Sequence, residues 1–228
     1  MKTGKVGRRE AIATIGAAGA ALALGCSDSP TDPGSGTTPA TGNNGACAIT
    51  PTETEGPFPS LANFFRSDIR EGKPGTTLAL TIKVVNVNSS CAGVANANVE
   101  IWHVDAAGNY SQYGSQSAQT FLRGIQTTNA SGEATFTTIY PGWYSGRATH
   151  IHLEVAINGS TVKVTQIAFP DAVNATVHTS GVYASRGTNP IANASDGILG
   201  DSLAAELVTP TGTTASGYSV TFQVGIAV

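Results

Sequence analysis

Four side chains that can bind a metal ion or hold a negative charge lie within nine positions of this chain: Tyr144, Arg147, His150 and His152. The two histidines are one residue apart in the run 148–155. If this run is a strand, both imidazoles project from the same face, because side chains alternate along a strand. Paired imidazoles are common metal ligands. The spacing therefore predicts a metal site; the simpler alternative is two polar positions on the solvent-facing side of an amphipathic strand.

The residues around the histidine pair favour the metal site. Tyr144 follows the turn signal Pro141-Gly142, so we expect it on a loop that can fold back over the same face of the strand. Arg147 is an unusual neighbour for a bound cation unless an anionic substrate or intermediate is held there. The alternative for this arginine is a surface salt bridge with Glu154.

Tyr110 belongs to a separate segment, where a strand pattern at 99–103 is followed by the turn Gly108-Asn109. A tyrosine after such a turn is usually a packed loop residue. Its interpretation therefore depends on the rest of the chain.

Five segments of the chain resemble the intradiol ring-cleavage dioxygenases, non-haem ferric enzymes that open catechols between their two hydroxyl groups. The segments occur in the order and spacing of that family and cover most of residues 47 to 170. They are residues 52–59, 101–111, 121–127, 132–141 and 140–152.

The resemblance implies four protein ligands for Fe(III), namely Tyr110, Tyr144, His150 and His152. In the family, the positions matching Tyr144 and His152 are axial, and those matching Tyr110 and His150 are equatorial. The donor types suit the metal, because a trivalent cation removes the proton of a phenol whose ordinary pKa is near 10. Two phenolates and one hydroxide would balance the charge of ferric iron.

Three residues carry the catalytic roles that the resemblance implies. Tyr144 matches the ligand that leaves the iron and takes a substrate proton, Arg147 matches an arginine over the substrate, and Gln166 matches a glutamine behind the ligands. Residues 56–58 match a segment that lines the substrate mouth. His103 is interpreted as a hydrogen-bonded structural histidine.

The activity implied is Fe(III)-dependent intradiol cleavage of a catechol-type aromatic by O2, which gives a cis,cis-muconate-type diacid. Two alternatives stay open. One is a non-catalytic exported β-sandwich lipoprotein that binds an aromatic ligand or a metal. The other is a zinc or copper site built on the histidine pair. The tryptophans Trp102 and Trp143 are interpreted as core or pocket wall.

The N-terminus has the pattern of a bacterial export signal, residues 1–26. Basic residues ending in Arg8-Arg9 precede an uncharged apolar run at 11–25, which is short for a membrane span and suggests the twin-arginine route. Cys26 closes a segment that resembles a bacterial lipobox, and residues 27–46 have the composition of a flexible linker. We therefore expect export to the periplasm or cell surface, with membrane attachment only through lipid on Cys26.

Cysteine count and charge are consistent with this interpretation. If Cys26 is lipidated, Cys47 and Cys91 are the remaining pair and could form a disulfide in an oxidising compartment. The chain has 12 basic and 15 acidic residues, a net charge of −3. Four of the basic residues belong to the signal, so no basic patch suggests nucleic acid as a partner.

Residues 47–228 are predicted to form one all-β domain, a sandwich of mainly antiparallel strands with long loops and little helix. Apolar residues alternate at 78–84, 134–138 and 218–226, and Gly, Asn, Ser and Pro clusters separate these runs. The only short helix expected is at 201–207. The catechol derivative and the oligomeric state stay open.

Overall fold

The computed structural model describes residues 47–228, in which two β-sheets pack face to face. The elements are β1 (Thr77–Asn86), β2 (Ala92–Gly93), β3 (Asn98–Trp102), β4 (Arg123–Thr127), β5 (Glu133–Ile139), β6 (His150–Ile157), β7 (Ser160–Ala168), α1 (Asp171–His178), α2 (Leu203–Glu206), β8 (Thr211–Thr213) and β9 (Gly217–Ile226). The predicted export signal, Cys26 and the linker at 27–46 lie outside the described residues.

The two sheets differ in size and in pairing. The first has the order β2-β1-β9-β8, with β5 also paired to β1, and its β1–β9 pair is parallel. The second has the order β4-β3-β6-β7, and all of its pairs are antiparallel. The predicted all-β sandwich of mainly antiparallel strands is therefore confirmed.

The core between the sheets follows from the alternation of apolar residues. On β1, Leu78, Leu80, Ile82 and Val84 are at most 1% exposed. They belong to the same buried cluster as Val99 and Ile101 on β3 and Ile151, Leu153 and Val155 on β6. Because neighbours on a strand point to opposite faces, His150 and His152 must then project from the outer face of the second sheet.

The helices differ from the sequence expectation. The segment predicted as helix at 201–207 contains only the single turn of α2, and the structure adds α1, which was not predicted. Eight residues with several β-branched side chains give too short a pattern for helical periodicity to stand out. None of the helices in residues 47–228 is long and apolar enough to cross a membrane.

A disulfide joins the start of the described chain to the turn after β1. Cys47 and Cys91 are bonded, with their Cα atoms 5.6 Å apart. The predicted pairing is confirmed, and it fixes residue 47 to the edge of the first sheet.

Candidate functional site

A row of four side chains crosses the outer face of the second sheet, one from each strand. Arg123 on β4 pairs with Trp102 on β3, Trp102 pairs with His152 on β6, and His152 pairs with Gln166 on β7. Directly opposed residues in a sheet have adjacent side chains. The Trp102 indole stacks on the His152 imidazole with 4.9 Å between ring centroids and 1° between the planes. Trp102 is therefore buried, but it orients a ligand candidate rather than filling the core between the sheets.

The segment at 50–66 covers this outer face. It hydrogen-bonds β7 at one end, through Glu53 N to Val164 O, and β4 at the other, through Ile125 N to Phe64 O. Between these points the backbone passes over His152 at Gly56, where an added Cβ would lie 3.1 Å from the imidazole Cε1. Gly56 also has φ +70°, a conformation that favours glycine. The segment buries the histidines, although they face away from the core.

The two histidines point their Nε2 atoms at each other, 3.1 Å apart. His150 Nδ1 lies 2.7 Å from Ala148 O, a bond that needs the proton on Nδ1 and leaves the lone pair on Nε2. Burial, followed by the charge of Arg147, lowers the pKa of His150 to about 3. Burial, followed by His150, lowers the pKa of His152 well below its ordinary value. Both imidazoles are therefore neutral, the form that binds metals.

The tyrosines complete the arrangement from two loops. Tyr110 is 5% exposed, and its ring centroid lies 5.6 Å from that of Tyr144 and 6.2 Å from that of His152. The Tyr144 ring centroid is 5.7 Å from that of His150. Burial raises the pKa of both phenols, for Tyr110 with a further contribution from Tyr144, while the charge of Arg147 opposes the shift at Tyr144. The structure thus brings all four predicted ligands together.

These residues fit a bound metal ion. Two nitrogen ligands about 2.1 Å from one ion and at roughly a right angle are about 3 Å apart, which is close to the spacing of the histidine pair. The buried hydroxyl of Tyr110 has no hydrogen-bond partner among the described residues, as expected for an atom that a ligand would satisfy. No group of three or more His, Cys, Asp and Glu side chains in residues 47–228 could hold a metal. The two phenols therefore supply the other candidate donors.

Arg147 is held beside this cluster by two partners. Its Nε donates to both carboxylate oxygens of Asp196, at 3.1 and 2.9 Å, and its Nη2 donates to Gln166 Oε1 at 2.6 Å. Gln166 is fixed in turn because its Nε2 donates to Thr54 O. The alternative role for Arg147, a surface salt bridge with Glu154, is not observed: Arg147 pairs with Asp196, and Glu154 accepts a hydrogen bond from Thr161.

Asp196 is the residue of the site that the sequence did not indicate. Its carboxylate also accepts hydrogen bonds from the backbone N–H groups of Ala148, Ile198 and Leu199. Burial alone would raise the pKa of Asp196, but Arg147 and these donors outweigh it and lower the pKa to about 2. Asp196 follows a short turn and is 49 residues from Arg147. No spacing pattern connects the two.

A cavity of about 220 Å³ opens from solvent toward the tyrosines. Phe58, Tyr110, Tyr113 and Tyr144 form its aromatic walls, and the loops at 108–109 and 114–116 complete its lining. Phe58 stacks on Tyr110 with 4.7 Å between ring centroids. Residues 56–58 were expected to line the substrate mouth. Gly56 passes over His152 and Phe58 lines the cavity, in agreement with that expectation.

The other two histidines of the domain lie outside the cluster. His103 bonds Val104 O at 2.9 Å and Thr138 Oγ1 at 2.8 Å, which confirms its structural role. His178, at the end of α1, bonds Pro141 O at 3.1 Å and so supports the loop that carries Tyr144.

Comparisons with known proteins agree with this geometry. The family model described as "Dioxygenase" matches residues 59–188. A catechol 1,2-dioxygenase from Acinetobacter lwoffii is 30% identical over an alignment of 112 residues, and the match covers 41% of this chain and 40% of that protein. The chain thus matches less than half the length of that relative.

Solved structures cover more of the chain. An intradiol ring-cleavage dioxygenase from Tetranychus urticae has a TM-score of 0.73 and 27% identity, and the match covers 79% of this chain and 95% of that one. The dioxygenase domain of a carbohydrate-binding fusion from Streptomyces sp. SirexAA-E has a TM-score of 0.62 and 26% identity, covering 79% and 99%. This chain belongs to the intradiol ring-cleavage dioxygenase family.

Proposed function

We propose that this protein is an Fe(III)-dependent dioxygenase that cleaves a catechol-type ring between its hydroxyl-bearing carbons. One observation carries the proposal. Two neutral imidazole nitrogens 3.1 Å apart converge beside a cavity with a buried tyrosine hydroxyl that has no hydrogen-bond partner within residues 47–228, and an arginine lies next to them. The family membership and the catechol dioxygenase among the relatives support the same reaction.

The overall reaction needs only the ring and O2. The bond between the two hydroxyl-bearing carbons breaks, each carbon gains one oxygen atom from O2, and each becomes a carboxyl group. The ring loses four electrons and O2 takes them up, so no further reductant is required. The product is a cis,cis-muconate-type diacid.

Tyr110, Tyr144, His150 and His152 would hold the iron. When bound, ferric iron makes the catecholate ring reactive toward O2. Trp102 stacks on His152 and keeps its ring plane fixed, and Ala148 O fixes the tautomer of His150. Phe58 covers Tyr110 and excludes water from that side.

Tyr144 and Arg147 act on the substrate. Tyr144 is partly exposed and lines the cavity, so its Oη, when present as phenolate, can take a proton from an entering catechol. Arg147 places a positive charge next to Tyr144, where negative charge develops on the ring. Asp196 and Gln166 hold the guanidinium in position, which removes the cost of reorienting it during the reaction.

The proposal is tested with the iron-loaded domain starting at Cys47. We expect one iron per chain, a visible absorption band from tyrosinate-to-iron charge transfer, and equimolar consumption of O2 and catechol with a diacid product. Tyr110→Phe should shift or remove the band, whereas Tyr113→Phe, whose hydroxyl donates to Pro59 O, should leave it unchanged. Catechol binding without O2 uptake would favour the non-catalytic alternative. Zinc or copper in protein purified without added metal would favour a zinc or copper site on the histidine pair.

We also propose that the protein is exported and attached to a membrane through Cys26. The signal pattern and the Cys47–Cys91 disulfide, typical of oxidising compartments, support this. Replacement of Arg8-Arg9 by two lysines should leave the protein in the cytoplasm, and Cys26→Ala should release it from membranes. A protein that fractionates as wild type in both variants would contradict the proposal.

A further inference from the structure

Besides the Tyr110 hydroxyl, three buried polar atoms close to the candidate ligands have no hydrogen-bond partner within residues 47–228. They are His152 Nδ1, Trp102 Nε1 and Glu100 Oε1. Trp102 pairs with His152 in the sheet, and Glu100 lies two residues before Trp102 on the same face of β3. Buried polar groups are nearly always hydrogen-bonded, so three such atoms in neighbouring positions need an explanation.

The orientation of the His152 ring directs Nδ1 toward Glu100. Its Nε2 points along β6 at His150, and Nδ1 lies on the opposite edge of the imidazole. Nδ1 therefore faces the next row of outward side chains in the other direction along β6. This row consists of Ile125 on β4, Glu100 on β3, Glu154 on β6 and Val164 on β7. Its only hydrogen-bond acceptors among the side chains are the two carboxyl groups.

Glu100 is the carboxyl group that has an acceptor to offer. Glu154 accepts a hydrogen bond from Thr161 Oγ1 at 2.6 Å, and neither of its oxygens is both buried and unpartnered. Ser60, from the segment that covers this face, bonds the Glu100 carboxyl group but leaves its Oε1 without a partner. Directly opposed like charges destabilise a sheet, and burial is a further cost to Glu100. A carboxyl group kept at this position calls for a compensating donor.

Binding of a metal ion would make His152 Nδ1 that donor. An ion on Nε2 leaves the proton of the neutral imidazole on Nδ1. The second ring nitrogen of a metal-binding histidine ordinarily donates to a carboxylate, a carbonyl or a water, which fixes the ring and makes it a stronger ligand. Stacking on Trp102 fixes the plane of the His152 ring. A hydrogen bond at Nδ1 would also fix its rotation within that plane.

Resting on the proposed function, we propose that Glu100 is a positioning residue of the iron site, whose Oε1 accepts a hydrogen bond from His152 Nδ1–H through one bound water. A water is needed because no direct hydrogen bond joins the two atoms. The same water can accept from Trp102 Nε1–H. It then accepts from two donors and donates to one carboxylate, the three hydrogen bonds typical of a buried water.

The test compares Glu100→Gln with Glu154→Gln by competition with a chelator for Fe(III). The Kd for Fe(III) should rise by about tenfold or more in Glu100→Gln, because a neutral amide accepts a weaker hydrogen bond than a carboxylate. Glu154→Gln is the matched control, since it removes the same charge from the directly opposed position, and its Kd should stay within about twofold of wild type. Equal losses in the two variants would show an effect of charge alone and would overturn the inference.

Two further measurements separate positioning of the ligand from support of the fold. The tyrosinate-to-iron absorption band should move to longer wavelength in Glu100→Gln and not in Glu154→Gln, because a His152 with a weaker acceptor donates less to the iron. The free energy of unfolding of metal-free Glu100→Gln should be at least that of wild type, because two opposed carboxyl groups become one. A metal-free variant that is destabilised, with an unchanged band when loaded, would assign Glu100 to the fold and overturn the inference.

These outcomes are distinct from those that test the proposed function. The Kd and the absorption band need only bound iron, so they test Glu100 without turnover. Failure of the iron-loaded wild-type protein to cleave any catechol would refute the proposed function and not the role of Glu100.

Discussion

An arginine lies at each end of the row on the outer face, and the two are held in different ways: Arg123 is the member of the row on β4, and Arg147 binds Gln166 at the other end. Arg123 is fully buried and donates only to neutral acceptors, namely Ser111 O, Ser111 Oγ, Phe58 O and Ser60 Oγ. No carboxylate of the described residues lies within salt-bridge distance of it. The side chain of Arg147 is 13% exposed and has a carboxylate partner.

The difference distinguishes a structural role for Arg123 from a catalytic role for Arg147. Arg123 connects β4 to the wall of the cavity at Phe58 and to the residue after Tyr110, so its bonds set the shape of the site. Burial lowers its pKa to about 10, and it stays charged at neutral pH. Arg147 keeps its charge next to Tyr144 and the cavity, where a substrate can use it. An arginine near an active site is therefore assigned by its partners and exposure, not by proximity alone.

The largest expected effect is on stability, from Arg123→Met. The change leaves two carbonyl groups and two serine hydroxyls, all buried or partly buried, without this donor, and we expect the free energy of unfolding to fall by roughly 3–5 kcal/mol. Urea unfolding of metal-free protein measures this without the contribution of bound metal. Arg147→Met in the same assay should cost less, about 2 kcal/mol, because the Asp196 carboxylate that loses its partner keeps hydrogen bonds from three backbone N–H groups. Similar losses for the two variants would remove the distinction.

The opposite order is expected for catalysis. Arg147→Gln removes the charge next to the substrate and should lower kcat by about 10²–10³-fold, the effect of removing one preorganised donor. Arg147→Lys keeps the charge but loses the planar fork that binds Asp196 and Gln166, so it should recover only part of the rate. Stopped-flow O2 uptake at saturating catechol gives both values. A kcat within about threefold of wild type in Arg147→Gln would show that the arginine does not act on the reaction.

The sequence alone could place His150, His152 and Tyr144 at the site, but it could not place Tyr110 there. Alternation along β6 placed His150 and His152 on one face, and the turn before Tyr144 placed it on a loop. Tyr110 was assigned only through the resemblance, because nothing in its own segment distinguishes a ligand from a packed aromatic.

Other parts of the site depend on contacts between distant segments. Asp196 reaches Arg147 across 49 residues, and Gly56 reaches His152 because the segment at 50–66 crosses the sheet. Arg123 belongs to a segment that matches the family, but its structural role follows from its burial and its acceptors. Such contacts have no local pattern, since the tertiary fold alone brings the residues together.

Two buried carboxyl groups near Gln166 differ in the same way as the two arginines, because only one of them has a partner of opposite charge. Asp196 has a guanidinium partner, whereas Glu206 is 0% exposed, is bonded by the hydroxyls of Thr165 and Ser202, and has no salt-bridge partner among the described residues. Ser202 Oγ also contacts Glu53 Oε1 at 3.1 Å. One hydroxyl proton shared between two carboxyl groups favours the protonated form of one of them. Burial raises the pKa of Glu206 to about 7.

Glu206 is therefore expected to weaken the fold as pH rises. A folded-state pKa of about 7 against an ordinary value of 4.5 means that its stabilising contribution is complete below pH 4.5 and is lost as pH rises through 7. Glu206→Gln should abolish this loss and stabilise the protein at pH 8 by up to about 3 kcal/mol, with little change at pH 4.5. Thermal unfolding of the wild type and the variant at pH 4.5 and pH 8 measures this change in stability. Equal effects at both would refute a buried titrating carboxyl group.

Asp196 should give the opposite pH dependence and the smallest of these effects. Its folded pKa of about 2 lies below the ordinary 3.8, so its contribution is complete above about pH 4 and is lost as pH falls toward 2. Asp196→Asn should therefore cost about 2 kcal/mol at pH 7 and progressively less as pH falls through 2, because the wild-type side chain also becomes neutral there. The matched control is Asp201→Asn at an exposed position, which should leave the free energy of unfolding unchanged at pH 7 and at low pH. The same variant should also have a lower kcat with its full iron content, because the Asn side chain no longer balances the charge of Arg147. Loss of iron would mean instead that Asp196 supports the metal ligands and not the arginine.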